Sequence, residues 1–455
     1  MQSGFKIDIP HEARYILRLL WHDGCDAYIV GGCIRDSLLD KTPHDWDICT
    51  SADPGVVLDL MAEHGIKTIK TGLQHGTVTA AMDGGSYEIT TFRVDGEYTD
   101  NRRPDHVEFV SDICEDLSRR DFTINAMAYS EWYGLVDPWG GYGDLDIKLI
   151  RCVRNPDDRF REDALRILRA LRFASTYGFN IEEKTAAAIH RNKDLLKNIS
   201  AERIRDELCK MLCGKGVLDI LLEYSDVMAV IVPELEPCIG FEQNNRFHRY
   251  TVYEHIAHAV AFYKGTDIST NMALLLHDIG KPECYTEDHN GGHFNGHSVP
   301  SAYHAQVITD RLRFDNKTKD AVIKLVLYHD SVIEPTIKCI RRWLNKIGYD
   351  LLIDLTFLRI ADIMAHSDIN RDERLIKILN VRNIAKQIVD EQQCFQIKNL
   401  AVNGNDIMHN CGIESGPIVG EVLKHLLDKV IDGEIENNTN DLIQEAKRYL
   451  KGVIN

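Results

Sequence analysis

Two carboxylates stand two residues apart in His44-Asp45-Trp46-Asp47. The run Asp45–Thr50 reads as a short strand, and residues i and i+2 of a strand point to one face, so Asp45 and Asp47 would sit side by side. Such a pair repels, and one member would hold its proton at a raised pKa. A divalent cation resolves the conflict, and oxygen ligands completed by water and phosphate are what Mg²⁺ prefers. Two such ions can stabilise the attacking and leaving oxygens of an in-line displacement, so the expected chemistry is metal-assisted phosphoryl transfer.

Neighbouring residues fit that chemistry. Gly31-Gly32 ends the predicted strand Ala27–Gly32 and precedes a helix-like Ile34–Leu39, so Gly32 lets backbone N–H groups approach an anion at a helix start. Arg35 can add a charge-assisted phosphate contact. Glu88 is expected on the strand Ser86–Arg93, paired as a hairpin with Val78–Met82 around Asp83-Gly84-Gly85, and offers a third carboxylate. A lone Asp-x-Asp is usually a surface turn; the flanking glycines and Glu88 reverse that reading.

These residues need a scaffold, and 455 residues are too many for one core. Strand and helix signals mix over 1–150, with helical periodicity at Glu12–Asp23 and Val56–Glu63; from Arg161 onward the pattern is almost wholly helical. Prolines, Gly240 and Asn244-Asn245 mark a break near 233–247. The expected fold is multi-domain: an α/β head with a mixed β-sheet and helices over 1–150, then an all-α neck (151–232), an all-helical body (233–395) and a helical tail (396–455). Twelve irregularly spaced cysteines without a CxxC pair predict free, buried thiols rather than disulfides or zinc, and Cys209–Cys213 is a core spacing. No run is apolar enough to cross a bilayer and Met1–Pro10 lacks signal-peptide features, so a cytoplasmic protein without a membrane partner is expected. The net charge of −17 argues mildly against nucleic acid, but Lys and Arg outnumber Asp and Glu between Arg151 and Lys215, which leaves room for one basic face.

Taken together, GGCIRD at Gly31–Asp36, DWD at Asp45–Asp47 and EITTFR at Glu88–Arg93 resemble the head of the class II tRNA nucleotidyltransferase (CCA-adding) and bacterial poly(A) polymerase family. Further motifs follow in the family's order. Val94–Tyr98 with Arg102-Arg103-Pro104 resembles a flexible loop that switches between adding C and adding A. Arg119–Ala126 is similar to a ribose-reading motif, which implies nucleotide contacts by Arg120, Asp121 and Asn125. Glu162-Asp163-Ala164-Leu165-Arg166 resembles the amino-acid template that selects the base, and Ala201–Ile204 the neck motif after it; Leu400–Asp406 with Gly412–Gly420 resembles the tRNA-binding tail.

Physics stands beside the match. Asp163 can accept a hydrogen bond from an exocyclic amine while Arg166 donates to a ring nitrogen or carbonyl. Both C and A offer that amine edge, and leaving it unpaired would cost on the order of 1–3 kcal/mol. Arg166, Arg169 and Arg172 share a helix face at i+3 spacing, while Leu165, Ile167, Leu168 and Leu171 supply its core stripe, leaving the arginines for a cleft. Phe122 reads as core.

A second constellation lies in the body. His255, the pair His277-Asp278 in LLLHDIGKP, and a later Asp offer imidazoles and carboxylates that suit a transition metal, here Ni²⁺, Mn²⁺ or Fe²⁺, able to promote phosphate-ester hydrolysis. The segment resembles the HD phosphohydrolase superfamily. Asp362 is the preferred last ligand and Asp368 the alternative; His297 and His329 could extend the site to two metals.

The expected activity is therefore template-independent addition of C and A to the 3′ end of tRNA from CTP and ATP, with Mg²⁺ at the head. Alternatives are poly(A) or A-only addition, and an HD phosphohydrolase whose head only binds RNA. The basic Gly-Arg-Arg-Phe-like string of the poly(A) branch is missing from Thr71–Val78, and intact Asp45 and Asp47 weigh against the hydrolase. These patterns do not encode the oligomeric state.

Overall fold

The structure, a computed structural model, describes residues 6–82, 85–96, 106–289 and 291–454. They fold into two compact units, Met1–Glu236 and Pro237–Asn455. The first is the expected α/β head followed by helices, and the second is largely helical.

The strands of the first unit include β1 (Ala27–Val30), β2 (Asp47–Thr50), β3 (Lys67–Gly72), β4 (Thr77–Met82), β5 (Gly85–Thr91), β6 (Arg93–Asp95), β7 (Val107–Phe109), β8 (Ala128–Ser130) and β9 (Gly134–Val136). Seven form one mixed sheet in the order β3-β4-β5-β2-β1-β8-β9, while β6 and β7 pair with each other. Its only parallel pair is β2 with β5. All four residues of β1 are buried, as a central strand requires. The helix α1 (His11–His22) packs against β1 and buries Ala13, Ile16, Leu17 and Leu20, a stripe at three and four spacing.

Two expectations at the head change. The strand carrying the carboxylates begins at Asp47, not Asp45, so Asp45 stands in the loop before it. The strand β1 stops at Val30 because Gly31, at φ +74°, turns the chain into α2 (Gly32–Leu38). The β4–β5 hairpin is present, but Asp83 and Gly84 of its turn lie outside the described residues.

Helices α3 (Pro54–Glu63), α4 (Ile113–Ser118) and α5 (Gly141–Asp146) complete the head. They are followed by α6 (Pro156–Glu162), α7 (Leu165–Tyr177), α8 (Glu183–Asn192), α9 (Ala201–Leu212), α10 (Val217–Glu223) and α11 (Ser225–Ile231). Asp163 is extended between α6 and α7, and α7 packs on α9 through its buried face, which includes Leu165, Ile167, Leu168 and Leu171.

The second unit contains α12 (Val252–Phe262), α13 (Ile268–Leu276), α14 (Ser298–Arg311), α15 (Asn316–Tyr328), α16 (Ile337–Ile347), α17 (Tyr349–Ala365), α18 (Arg371–Asp390), α19 (Gly404–Cys411), α20 (Pro417–Ile431) and α21 (Thr439–Ile454). Every residue from Thr270 to Leu276 is buried, because α13 packs against α12, α15 and α17. The residues from Cys394 to Leu450 share a core of their own that includes Val402, Ile407, Val422, Leu426 and Leu442.

The body is not wholly helical: Thr286–Asp288 and Gly291–His293 form a small hairpin. Three-residue strands are too short to show a period, and Gly292 is required where a Cβ would lie 2.3 Å from the Gln243 carbonyl oxygen. In the first unit, Leu149–Ile150 pairs in parallel with Asn180–Ile181, so the expected all-α neck also contains a short strand.

All twelve cysteines are free; Cys33, Cys49, Cys152, Cys209 and Cys394 are buried, Cys213 and Cys339 partly so. No described helix is long and apolar enough to cross a membrane.

Candidate functional site

The parallel register sets Ile48 beside Ile89, which places Asp47 and Glu88 level one residue earlier, at the start of β2 and on β5. Asp47 keeps an open solvent face, yet the protein packed around it removes enough water to raise its carboxyl pKa; Arg120 opposes the rise, while Glu88 and then Asp45 add to it. The three carboxylates of the sequence reading thus act on one another electrostatically, although Asp45 does so from a loop.

Gly31 admits a guanidinium: a Cβ there would lie 2.8 Å from Arg120 Nη1. Arg120 pairs through Nη2 with the buried Asp116 at 3.3 Å, and Arg119 shares that carboxylate at 2.8 Å. Gly32 opens α2, two residues before the expected helix at Ile34. Arg35 is engaged by protein. Its Nε and Nη2 donate to Asp36 at 3.0 Å, its Nη1 donates to Asn125 Oδ1 at 2.6 Å, and the group lies 5.1 Å from the rings of Phe173 and Tyr177. It positions Asn125.

Asp121 is the hub of the next motif. Its Oδ1 accepts from the Phe122 N–H at 2.8 Å and from Asn125 Nδ2 at 3.0 Å; its Oδ2 accepts from Arg169 Nε at 2.8 Å and Nη2 at 2.6 Å. Burial alone would push the carboxyl up, but the Arg169 charge and the Asn125 hydrogen bond hold it well below the usual range. These four donor contacts occupy the lone pairs a carboxylate has. Phe122 is fully buried, edge-on to Phe173.

Asp163 and Arg166 do not pair side chain to side chain. Asp163 Oδ2 accepts from Arg203 Nη2 at 2.9 Å and Oδ1 from the Leu165 N–H at 3.0 Å. Arg166 donates to Glu162 Oε2 at 2.6 Å and to the carbonyls of Arg159 and Arg119 at 3.1 and 3.0 Å. Spacing alone could not show that Asp163 breaks the helix and faces α9, or that Arg203 would meet it. Nor are the arginines of α7 free on a cleft wall: Arg169 holds Asp121, and Arg172 pairs with Glu207 of α9 at 2.5 Å. Of the loop resembling the C-to-A switch, Glu97, Tyr98, Arg102, Arg103 and Pro104 lie outside the described residues.

In the second unit, helix ends converge. His255 comes from α12, His277 and Asp278 from the end of α13, and Asp362 from α17. His255 Nε2 lies 3.0 Å from Asp362 Oδ1, 3.3 Å from Asp278 Oδ2 and 3.3 Å from His277 Nε2. The Nδ1 of His277 meets the Leu274 carbonyl oxygen at 2.8 Å, which leaves its Nε2 lone pair pointed into the cluster. Asp278 Oδ2 has three cationic or imidazole nitrogens within 3.3 Å, one of them Lys281 Nζ at 2.7 Å, yet no aligned hydrogen bond. The buried Asp278 and the partly buried Asp362 are held well below the usual range, against the effect of burial, chiefly by His277 and Lys281 for Asp278 and by His366 and His255 for Asp362. Asp362 is therefore the last carboxylate of the cluster; Asp368 is exposed and paired with Arg371. Sequence reading missed His366, which lies four residues after Asp362 and contacts its Oδ1 at 3.4 Å; the i,i+4 spacing was the available signal. Asp278, Lys281, Asp362 and His366 line a cavity of about 270 Å³.

Comparison with known proteins places both units among related chains. The sequence matches the "Poly A polymerase head domain" over residues 27–151, the "Probable RNA and SrmB- binding site of polymerase A" over 178–239, and the tRNA nucleotidyltransferase domain 2 family over 301–446. It is 53% identical over 207 residues to the CCA-adding enzyme of Lactobacillus helveticus, a stretch that spans 46% of this chain and about half, 51%, of that relative's length. The match to the CCA-adding enzyme of Lactobacillus gasseri is 51% identical and covers 93% of both chains. Among solved structures, the Bacillus stearothermophilus CCA-adding enzyme in complex with CTP superimposes with a TM-score of 0.73 at 28% identity, covering 97% of each chain.

Proposed function

The chain belongs to the family of CCA-adding enzymes, and from that premise we propose that it adds C and A to the 3′ end of tRNA from CTP and ATP, in the cytoplasm and without a nucleic-acid template. The observation that carries the reading is the meeting of Asp47, Glu88 and Asp45 beside Arg120, with Asp163 and the Asp121–Arg169 pair in the same compact unit.

Asp45 and Asp47 would hold Mg²⁺, whose charge would oppose the rise in the Asp47 pKa that burial, Glu88 and Asp45 cause. When bound, the ion supplies charge stabilisation to the attacking 3′ oxygen and the leaving pyrophosphate. Glu88 completes the acidic wall. Gly32 presents backbone N–H groups at the start of α2, and Arg120, admitted by Gly31, supplies positive charge beside the triphosphate. Asp121 and Asn125 orient Arg169 and the ribose-facing wall, and Arg172 braces α7 on α9. Asp163, steadied by Arg203, accepts the exocyclic amine of C or A, while Arg166, steadied by Glu162, lies next to it in the chain for the other hydrogen-bonding edge.

The finer division into head (1–150), neck (151–232), HD-type body (233–395) and tRNA-binding tail (396–455) is part of this proposal, supported by the separate core of the tail. The test supplies Mg²⁺, labelled CTP or ATP, and tRNA ending at the discriminator base, at C or at CC. C addition followed by a single A is expected; a long A tail, or A only on the CC end, would refute the proposal.

A second reading concerns the body: His255, His277, Asp278 and Asp362 form one transition-metal site for Ni²⁺, Mn²⁺ or Fe²⁺ that serves phosphate-ester hydrolysis. What favours it is the convergence of His255 Nε2 and His277 Nε2, 3.3 Å apart, on Asp278 Oδ2, a buried carboxylate oxygen without an aligned hydrogen bond. Metal analysis of the parent against His277→Ala/Asp278→Ala tests it.

A further inference from the structure

Tyr177 closes α7 at the end away from Asp163 and Arg166, and its side chain is buried. Its Oη donates to Asp36 Oδ1 on α2 at 2.9 Å; burial pushes its pKa up to about 12, so the hydroxyl keeps its proton at neutral pH. The same carboxylate holds Arg35, whose guanidinium lies 5.1 Å from the ring centroids of both Phe173 and Tyr177, one turn apart on α7. Lys41, in the segment that leads to Asp45, sets its Nζ 4.3 Å from the Tyr177 centroid. Arg35 reaches α7 a second time, because Asn125 and Asp121 link it to Arg169. Arg169 and Tyr177 stand about two turns, roughly 12 Å, apart along the helix. One attachment would let α7 pivot against α2; two fix its direction.

We infer that Tyr177 and Asp36 are positioning residues for nucleotide addition, clamping α7 to α2 so that the base-selecting residues and the triphosphate-binding residues stay in register. The inference rests on the function proposed above, which puts the base at Asp163 and Arg166 and the triphosphate beside Gly32 and Arg120. A bound nucleotide engages both groups together only when their separation matches its own length, and a misplacement of about 1 Å forfeits contacts at one end. A phenylalanine would fill the same core with no hydroxyl to satisfy. The hydroxyl of Tyr177 instead reaches a carboxylate 141 residues earlier in the chain, one that already has Arg35 as its counter-charge. Tyr177 and Asp36 touch neither base nor phosphate in this arrangement; they act through the elements they join.

The test is steady-state kinetics of C and A addition by the full chain, with inhibition by pyrophosphate measured beside it. Pyrophosphate is the leaving product and reads the phosphate-binding residues without a base. Tyr177→Phe keeps the buried ring and removes only the hydroxyl. KM for CTP and ATP should rise about fivefold, the worth of one hydrogen bond, while the inhibition constant of pyrophosphate stays where it was. Asp36→Asn should move the same constants in the same direction, and it carries the test if Tyr177→Phe fails to fold. A fall in kcat with KM unchanged would mark a smaller folded fraction and overturn the inference. Equal weakening of nucleotide and pyrophosphate, or no change in either, would overturn it too, with the proposed function left standing. A parent chain that adds neither C nor A would overturn that function and the inference with it.

Discussion

Arg169 Nη2 lies 2.6 Å from Asp121 Oδ2, and this contact ties the helix α7 to the motif that follows α4. It converts a helix-face arginine, which sequence alone leaves in a cleft, into the clamp that sets where the head meets its first helices. Breaking one partner of a buried pair leaves the other charge uncompensated, at a cost of roughly 3 kcal/mol.

Asp121→Asn should therefore destabilise the protein by about that amount at neutral pH. The folded-state pKa of Asp121 is depressed, so its stabilisation is fully present above the ordinary carboxylate pKa of about 3.9 and is lost as pH falls through the folded value. Chemical denaturation of both proteins at pH 7 and again below about 4 checks this: the gap between them should narrow in acid, and a gap independent of pH would refute the linkage.

Gly31→Ala should cost on the order of 1–3 kcal/mol through the backbone alone, since φ +74° with ψ −123° is a glycine conformation. The added Cβ also meets Arg120 Nη1, so KM for both nucleotides should rise. Thermal melting and steady-state kinetics read the two effects separately.

Asp163→Ala removes the acceptor for the base amine. Discrimination of CTP and ATP against UTP and GTP should fall by about tenfold or more, the equivalent of 1–3 kcal/mol. Arg203→Ala should give a milder loss in the same direction by loosening Asp163. Single-nucleotide incorporation with each of the four triphosphates measures both.

Asp47→Ala should abolish incorporation by removing a metal ligand. Glu88→Gln relieves part of the charge that raises the Asp47 pKa, so the acid limb of Mn²⁺ binding should move to lower pH. Mn²⁺ titrations from pH 4 to 7 follow it; a limb that stays in place would separate Glu88 from the cluster.

His277→Ala/Asp278→Ala should lose metal from the body while retaining C and A addition, because the ligand sets belong to different compact units. Parallel metal analysis and tRNA extension check that independence.

Sequence made the chemistry legible wherever it is carried by short local strings. Gly31-Gly32, Asp45-x-Asp47, Glu88 and His277-Asp278 owe their meaning to neighbours within a few residues: a turn, a strand alternation, the end of an apolar helix. Period and spacing likewise located α7, its leucine stripe and the helical body. What they could not supply was the partner of each charged side chain. Asp163 and Arg203 are 40 residues apart, Arg169 and Asp121 48, and His297 and His329 32.

The sequence by itself determined the kinds of groups present and the elements that carry them, because hydrophobic periodicity and turn chemistry act over a few residues. Only the tertiary structure decided that Arg35 and Arg169 hold other residues in place, that Asp163 pairs with Arg203, that Asp362 and not Asp368 closes the histidine cluster, and that Asp278 faces imidazoles on both sides. The reason is physical. A buried charge must find its counter-charge wherever packing brings one, and packing joins residues without regard to their distance along the chain.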